Sequence, residues 1–465
     1  MPEGSDPAEM TALELATLYR EGSLSPVEAA RACLQRIGRH NDAVNAFCLV
    51  DEEATLDAAR RAEERFRRLQ PLGLMDGIPV GVKDMFVSRG WPNRKGSAVI
   101  PDTPCQEDAP VVAALRRQGY VPLGRTTTPE FGWKGVTDSP LFGITGNPYD
   151  PAKTSGGSSG GSAAAIPLGM APVALGTDAG GSIRIPAGFC GVVGHKPTLG
   201  RVPMWPASAF APLAHPGPLA WTVEDAALLM NIMCEPDRRD TTLPPGDADF
   251  LEALAGGIGG WRVAYSPDLG FARVDAEVAA AVERAVRVLE DLGARVERTD
   301  PGFSDPRAAF DVLFFGGAAN ALREIPPEQR ARMDAGLVEA AEAREDLTML
   351  DYLGAMNQRA ALMEHMEQFH CDHDLLVTPT LPIPAFTAGL EVPEGWHDRR
   401  WPSWTPLTYP FNMTGQPACS VPCGYTGTGL PIGLQFIGPR HGDAAVLRAA
   451  HAYQLAEPLT DRRPH

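Results

Sequence analysis

The stretch GTDAGGSIRIPAGFCGVVGHKPTLG, residues 176–200, decides how the rest of the chain is interpreted. It places Ser182 directly after two glycines, in a segment whose glycine density serves close backbone approach rather than strand stability. Backbone N–H groups that turn toward such a serine build an oxyanion hole from main chain alone. The candidate donors are the amides of Ala179, Gly180, Gly181 and Ser182. Taken alone, however, the stretch is better explained as a glycine-rich turn whose serine caps a helix.

A second glycine-rich stretch, TSGGSSGGS at residues 154–162, lies upstream. A phosphate-binding loop would end in Gly-Lys-Ser/Thr, which does not follow here. The stretch formally matches the nucleophile elbow G-x-S-x-G, which would make Ser159 the nucleophile and require an acid and then a histidine further on. His195 follows without a well-placed acid, whereas His370 and His373 stay open but lack supporting context. A low-complexity linker is the remaining interpretation, although a linker would not enclose the apolar runs that follow.

A lysine lies at the end of a predicted strand. GIPVGVKDMFV, residues 77–87, is short, β-branched and bounded by glycine, which predicts a buried strand that leads into a loop. Burial of the Lys83 ammonium is costly, and desolvation lowers its pKa, so this lysine is a candidate base near neutrality. Pairing of Lys83 with the neighbouring Asp84 is the simpler interpretation when the segment is considered alone.

Helix and strand signals alternate along the chain, which predicts an α/β fold with parallel strand pairs. Three N-terminal helices are expected. The first ends at Gly22, the second begins at Ser25-Pro26, and the third spans about residues 51–69. Strand–helix–strand units follow at residues 77–126 and 259–301. We further expect mostly helices over 306–370, a strand in 374–386, and two strands and a helix at the C-terminal end.

The order and spacing of Lys83, Ser158 and Ser182 turn three weak local signals into one strong signal. Together with their flanking residues they resemble the amidase signature family. The resemblance is carried by GIPVGVKD, SGGSSGGSAAA, ALGTDAGGSIRIPAGFCGVVGHKPTLGRV, GPLAWTVEDAALL, DLLVTPTLPIPAF and PFNMTGQPACSVPCG, followed by GLPIGLQFIG. It covers nearly the whole chain, most strongly residues 77–235 and more loosely 374–455.

The resemblance implies an α/β fold with a large mixed, mostly parallel central sheet covered by helices on both faces. One amidase domain would span residues 1–465. Its expected parts are an N-terminal helical layer at 1–70, the catalytic signature core at 71–235, a more variable and largely helical region at 236–370, and the C-terminal part of the core at 371–465.

The resemblance also implies the roles of three residues. Ser182 corresponds to the nucleophile, Ser158 to a serine with a cis peptide bond that bridges nucleophile and lysine, and Lys83 to the final base. Neutral Lys83 would accept a proton from Ser158, which accepts one from Ser182. Such a triad needs no histidine, metal or cofactor.

A substrate pocket is expected around residues that follow the lysine or lie on aromatic, proline-rich loops. The candidates are Met85, Phe86, Phe131, Gly132, Trp205 and Phe210. Trp401 and Trp404 lie on a similar loop, and packing of each ring onto the core explains it equally well. Asp178 and Arg184 flank Ser182 and are interpreted as a structural ion pair or as backbone anchors in preference to substrate ligands. The run His370-Cys371-Asp372-His373 has helical spacing for zinc ligands but lacks a second ligand cluster.

Composition limits the partners. The chain has 465 residues, a formal charge of −17 and eight scattered cysteines without a CxxC pair. So acidic a protein repels nucleic acid, and the N-terminal MPEGSDPAEM lacks the basic and apolar regions of a signal peptide. No apolar run reaches the length of a membrane span. We therefore expect a cytoplasmic monomer or homodimer that binds neither nucleic acid nor membrane.

Three functions remain in competition. The leading hypothesis is a free-standing amidase that hydrolyses the C–N bond of small, fairly apolar amides, anilides or carbamates (urethanes), and also esters, with water as the second substrate. The second is the glutaminase subunit of a tRNA-dependent amidotransferase, which shares the core motifs. The third is an inactive binding protein on the same scaffold, which the presence of all three triad residues disfavours.

Overall fold

A large mixed sheet forms the centre of the fold. The computed structural model describes residues 6–240, 242, 248–458 and 463–464, so residues 1–5, on which part of the signal-peptide prediction rests, lie outside it. The strands are β1 Phe47–Val50, β2 Pro79–Lys83, β3 Val121–Thr126, β4 Asp138–Ser139, β5 Gly143–Ile144, β6 Val173–Asp178, β7 Val193–Lys196, β8 His215–Ala220, β9 Arg262–Tyr265, β10 Arg295–Arg298, β11 Leu375–Pro379, β12 Ala418–Tyr425 and β13 Pro431–Ile437. Within the described residues, eleven of them form one sheet in the order β1-β3-β2-β6-β8-β7-β12-β13-β11-β9-β10, and β4 pairs with β5.

Helices cover this sheet. They are α1 Ala12–Glu21, α2 Pro26–Val44, α3 Glu52–Arg67, α4 Pro110–Arg117, α5 Gly160–Ala165, α6 Arg184–Cys190, α7 Val223–Met233, α8 Ala276–Asp291, α9 Arg307–Leu322, α10 Pro327–Arg330, α11 Ala335–Glu342, α12 Met349–Asp372, α13 Pro410–Met413 and α14 Asp443–Ala456. Of the helices in the described ranges, none combines the length and the apolar character that a bilayer crossing requires.

The N-terminal helices begin and end where the sequence predicts. Thr11 caps α1 through a capping box with Glu14, and Gly22 ends the helix in the left-handed conformation at φ 70°. Ser25 caps α2 in the same way, with Pro26 at the first helical position. The segment 1–70, predicted to be helical, also contributes the short edge strand β1 to the sheet.

The predicted α/β class and the mixed sheet with helices on both faces are confirmed. Parallel pairing is confined to β3-β2-β6 and to β11-β9-β10, where helices connect neighbouring strands. The other six pairs are antiparallel, so parallel pairing is less prevalent than expected. One of these six pairs, β12-β13, is a hairpin, which requires antiparallel strands.

Alternate residues of the central strands pack into different cores. Val173 and Leu175 of β6 contribute to a core beneath α1, α4, α7 and α14, whereas Ala174 contributes to a core beneath α5. Every residue of 154–165, which includes α5, and every residue of α6 is buried. Both glycine-rich stretches thus lie in the interior, which excludes the linker interpretation.

Candidate active site

Lys83 ends β2 between the parallel neighbours β3 and β6 and is completely buried. Its Nζ lies 2.8 Å from Ser158 Oγ, 2.9 Å from Ser159 Oγ and 2.9 Å from Thr177 Oγ1. Burial lowers the pKa of Lys83 well below its ordinary value, and the nearby charge of Asp178 raises it only in part. Lys83 is therefore a buried amine surrounded by hydroxyl groups.

Asp84 does not pair with Lys83. Its carboxylate accepts hydrogen bonds from the backbone N–H groups of Arg94 at 3.2 Å and Gly96 at 3.0 Å, and it lies 3.6 Å from Arg125 Nε. The simpler interpretation of the lysine as the ion-pair partner of its neighbour is therefore wrong. Asp84 lies in the turn that follows β2, where its carboxylate faces the 94–96 segment instead of Lys83.

Ser158 and Ser159 both contact Lys83, but their environments differ. The Gly157–Ser158 peptide bond is cis, as the family resemblance implies, and Ser158 lines an internal cavity. Ser159 is completely buried, and its hydroxyl donates to the carbonyl oxygen of Thr177 at 3.2 Å. Its backbone N–H donates to the carbonyl oxygen of Ser182 at 3.1 Å, so one hydrogen bond joins the two glycine-rich stretches.

Ser182 lies in the turn between β6 and α6 and lines the same cavity as Ser158. Its hydroxyl makes no hydrogen bond to any residue that the structure describes. The side chain is only 4% exposed, so it is reached through the cavity rather than from the outer surface.

The four candidate oxyanion donors are not equivalent. Gly181 N–H donates to Asp178 Oδ1 at 2.7 Å and is therefore occupied. Within the described ranges, the amides of Ala179, Gly180 and Ser182 have no backbone or side-chain acceptor. The prediction for Gly181 is corrected, because the preceding aspartate folds back onto its amide.

The glycines at these positions are required by packing. A Cβ at Gly180 would lie 2.6 Å from the Trp401 ring, and one at Gly181 would lie 2.5 Å from Thr408 Oγ1. Both distances are shorter than real Cβ atoms tolerate. The close backbone approach that the glycines were predicted to serve is made here to the side chains of Trp401 and Thr408.

A buried ion pair anchors the turn that carries Ser182. Arg184 Nε lies 3.0 Å from Asp178 Oδ2, and its guanidinium also donates to Asn412 Oδ1, Gln435 Oε1 and the carbonyl oxygen of Thr408. Burial opposes ionisation of Asp178, but the charge of Arg184 holds its pKa below the ordinary value. The contacts agree with the structural role predicted for this pair.

We expect Arg184→Met to lower the free energy of unfolding by about 3–5 kcal/mol, because it leaves the Asp178 carboxylate buried and unpaired. Urea denaturation at neutral pH measures this. The difference from wild type should shrink as the pH falls below the range in which an ordinary carboxyl titrates, since the protonated carboxyl needs no partner.

Arg117→Met is the matched control for this prediction. It removes an arginine whose side chain is 55% exposed and whose ion-pair partner, Glu235, is 44% exposed. The free energy of unfolding should change by no more than about 1 kcal/mol. Equal losses in the two variants would contradict the assigned role of Arg184.

The cavity above the two serines has a volume of about 110 Å³. Its wall includes all six residues predicted for a substrate pocket, namely Met85, Phe86, Phe131, Gly132, Trp205 and Phe210. Gly132 lies close to Ser158, since a Cβ there would be 3.2 Å from Ser158 Oγ. The cavity is therefore narrow at Ser158 and mostly apolar around it.

The proline-rich loop at residues 203–216 forms one wall of the cavity. The Phe210 ring stacks on Phe314 of α9 with centroids 4.4 Å apart, and the Arg239 guanidinium lies 4.4 Å from the Trp205 ring centre. Trp401 and Trp404 do not line the cavity; both are buried in the core behind it. Their aromatic character therefore serves packing.

Four polar residues at this site were not among the predicted ones, and one of them, Ser208, lies on the 203–216 loop. Thr177 contacts Lys83, and Asn93 and Lys95 line the cavity. Thr177 lies in the stretch 176–200, next to Asp178, so its place in that stretch could have marked it as a site residue. Asn93 and Lys95 lie in a loop that carries no recognisable motif.

The proposed zinc run does not gather ligands. His370 Nδ1 and His373 Nδ1 lie 3.0 and 3.2 Å from backbone carbonyl oxygens. Across the described ranges, no group of three or more His, Cys, Asp or Glu side chains is arranged to hold a metal ion. His195 is buried and lies 3.4 Å from Asp443, away from the cavity.

Comparison with known proteins identifies the family of the chain. A family model described as Amidase matches residues 28–447. An acylamidase from Rhodococcus erythropolis is 37% identical, with 98% of this chain and 97% of the relative covered. A glutamyl-tRNA(Gln) amidotransferase subunit from Chloroflexus aggregans is 35% identical, with 96% of each chain covered. The crystal structure of a bacterial aryl acylamidase superposes with a TM-score of 0.92 at 30% identity over 98% of each chain.

The chain therefore belongs to the amidase signature family, as the sequence motifs indicated. It is an amidase-type hydrolase that acts on carbon–nitrogen bonds.

Proposed function

We propose that this chain is an acylamidase-type enzyme that hydrolyses small, fairly apolar amides, anilides or carbamates, and also esters, through an acyl-enzyme on Ser182. The observation that carries the proposal is the juxtaposition at the base of the cavity. There, a buried Lys83 contacts Ser158 at 2.8 Å, and Ser158 and Ser182 line the same apolar space. The names of two relatives, an acylamidase and an aryl acylamidase, support acyl amides, aryl amides included, as substrates.

Acylation proceeds through a proton relay. Neutral Lys83 accepts the Ser158 proton, and Ser158 accepts the proton of Ser182 as the Ser182 oxygen attacks the substrate carbonyl carbon. The carbonyl π electrons move onto oxygen, which the free amides of Ala179, Gly180 and Ser182 stabilise. When the C–N bond breaks, Ser158 gives a proton to the leaving amine and takes one back from Lys83, which becomes neutral again. Water then attacks the acyl-enzyme by the same relay and releases the acid.

Burial of Lys83 favours this role because it lowers the pKa of the amine and so disfavours the charged form, which cannot accept a proton. The surrounding hydroxyl groups of Ser158, Ser159 and Thr177 hydrogen-bond to the amine without supplying a counter-charge. We expect the active form to be the one in which Lys83 is deprotonated.

The relay is assigned to Ser158 rather than Ser159, and two substitutions test this. Ser158→Ala removes the hydroxyl that faces the cavity, and we expect kcat to fall by about 10²- to 10⁴-fold, the range typical of general acid–base groups. Ser159→Ala removes a hydroxyl already bonded to Thr177, so its effect on kcat should be at least about tenfold smaller. Steady-state kinetics on an aryl amide measures both. A larger loss in Ser159→Ala would reverse the assignment.

The second candidate function is that of the amidotransferase relative, hydrolysis of glutamine by a chain that works with partner subunits. Glutamine carries an ammonium and a carboxylate that both need partners in the site. In the described part of the cavity wall, the charged residues are Lys95 and Asp178, and Asp178 is committed to Arg184. No carboxylate is thus free to receive the ammonium group, which favours the acylamidase function.

Assay of the purified chain alone separates the two functions. A p-nitroanilide, the carbamate of the same aniline, an aryl ester and glutamine should be compared with and without a serine-directed inhibitor. We expect inhibitor-sensitive release of the aniline and little ammonia from glutamine. Efficient glutamine hydrolysis with no turnover of the aryl compounds would favour the amidotransferase function.

A further inference from the structure

Lys95 is a charged residue in a mostly apolar cavity wall, and the proton relay does not use it. It lines the cavity together with Ser158 and Ser182. Nowhere in the described ranges does its ammonium have a hydrogen-bond acceptor or an ion-pair partner. Asp178, the other charged residue of this wall, is held by Arg184 at 3.0 Å. The cavity wall therefore carries one positively charged group that no described side chain contacts directly.

The backbone fixes Lys95 beside the reacting groups. Its carbonyl oxygen accepts a hydrogen bond from the backbone N–H of Phe131 at 2.7 Å. Phe131 precedes Gly132, at which a Cβ would lie 3.2 Å from Ser158 Oγ. Lys95 itself has a φ of 52°, in the left-handed region that non-glycine residues rarely adopt. The loop is thus hydrogen-bonded to the same wall that approaches Ser158.

The residue after Lys95 also holds the loop in place. Gly96 donates its backbone N–H to Asp84 at 3.0 Å, and a Cβ at this position would lie 2.6 Å from the carbonyl oxygen of Thr128. No side chain therefore fits there. The close backbone packing keeps Lys95 at the cavity rather than on a separate surface loop.

The energetics favour an anionic partner for this ammonium. Burial lowers the pKa of Lys95, while the charge of Asp84 partly opposes that effect. A half-buried charge without a partner has lost hydration that no protein contact replaces. A carboxylate that enters the cavity would supply that contact as a charge-assisted hydrogen bond. Met85, Phe86 and Val111 in the same wall would contact the apolar body of such a ligand.

We propose that Lys95 binds a carboxylate of the substrate, so that the preferred substrates are amides with an apolar body and one carboxylate group. This inference rests on the proposed amidase function and narrows its substrate class. It also distinguishes these substrates from glutamine, whose ammonium has no partner in the described cavity wall. Lys95 is a specificity-determining residue here and not part of the relay.

The test compares matched amides with the carboxylate on either side of the scissile bond. On the acyl side, glutaryl-p-nitroanilide is compared with butyryl-p-nitroanilide. On the amine side, 4-(butyrylamino)benzoate is compared with the butyryl amide of p-toluidine. In one of the two arms, we expect wild type to favour the anionic compound in kcat/KM by about tenfold or more, as a partly desolvated charge pair does.

Variants then locate the preference. Lys95→Met should lower the anionic-to-neutral ratio of kcat/KM in that arm by about tenfold or more, and Lys95→Arg should restore part of it. Lys153→Met is the charge-matched control, because Lys153 does not line the cavity and its loss should leave the ratio unchanged. Thermal unfolding confirms that each variant is folded. The anionic-to-neutral ratio of wild type is measured without any variant, so it tests the proposal even if a variant does not fold.

Two results would overturn the assignment of Lys95: a wild-type preference for the neutral compound in both arms, or an unchanged ratio in folded Lys95→Met. In either case, two other observations would still support the proposed amidase function. These are hydrolysis of the neutral anilide by the free enzyme and labelling of Ser182 by a serine-directed inhibitor. Failure to hydrolyse any amide, with Ser182 unlabelled, would instead contradict the proposed function itself.

Discussion

Replacement of Ser182 with alanine is expected to reduce kcat by about 10⁵- to 10⁶-fold, the loss seen when a covalent nucleophile is removed from a preorganised triad. Ser182 lines the cavity, and its hydroxyl makes no hydrogen bond within the described structure, so nothing there competes with its attack on a substrate carbonyl. Stopped-flow and long-time assays with a p-nitroanilide together cover this range of rates.

The alanine variant should still bind substrate, because the cavity wall is unchanged. Thermal unfolding with and without a slowly hydrolysed amide measures this, and the rise in Tm should be similar in wild type and Ser182→Ala. Ser208→Ala is a useful comparison, since Ser208 also lines the cavity but its hydroxyl accepts a hydrogen bond from the backbone N–H of Phe210. Undiminished turnover in Ser182→Ala would contradict the mechanism outright.

Replacement of Lys83 with methionine is expected to lower kcat/KM by about 10²- to 10⁴-fold, because it removes the final base of the relay. Lys83→Arg should not rescue activity, since a guanidinium stays protonated. This pair of variants separates a need for a neutral base from a need for positive charge. An active Lys83→Arg enzyme would favour an electrostatic role over a basic one.

The pH dependence supplies a second readout for the same residue. Burial lowers the pKa of Lys83, and the relay needs the deprotonated amine. The wild-type kcat/KM should therefore rise with pH through this lowered pKa and level off above it, with the limb on the acid side. In Lys83→Met the residual activity should lose that limb. An identical limb in the variant would assign it to another group.

Local signals explain why much of the fold could be predicted. The ends of α1 and α2 are set by Thr11, Gly22 and Ser25, whose capping acts within a few residues. The parallel unit around β2 and β3 follows from a strand–helix–strand pattern in sequence. The directions of the central strands could not be predicted, because they depend on which distant segments pair.

The structure of the two glycine-rich stretches could not be predicted from short-range sequence signals. Helices α5 and α6 are short and buried on all sides, so no amphipathic pattern announces them. The closeness of Lys83 to Ser158 followed from the family resemblance and not from any local signal. The occupied amide of Gly181 depends on the side-chain direction of Asp178, and the position of Lys95 depends on packing against the 128–131 segment.

The central claim, an acyl-enzyme on Ser182, is tested most directly by trapping the covalent intermediate. The protein is incubated with an aryl carbamate, whose carbamoyl-enzyme hydrolyses slowly, and is then analysed by intact mass spectrometry and peptide mapping. We predict one carbamoyl group per chain, located on Ser182, with one equivalent of phenol released in a burst and no label in Ser182→Ala. A label on Ser158 or Ser159, or steady turnover without any covalent adduct, would contradict the account.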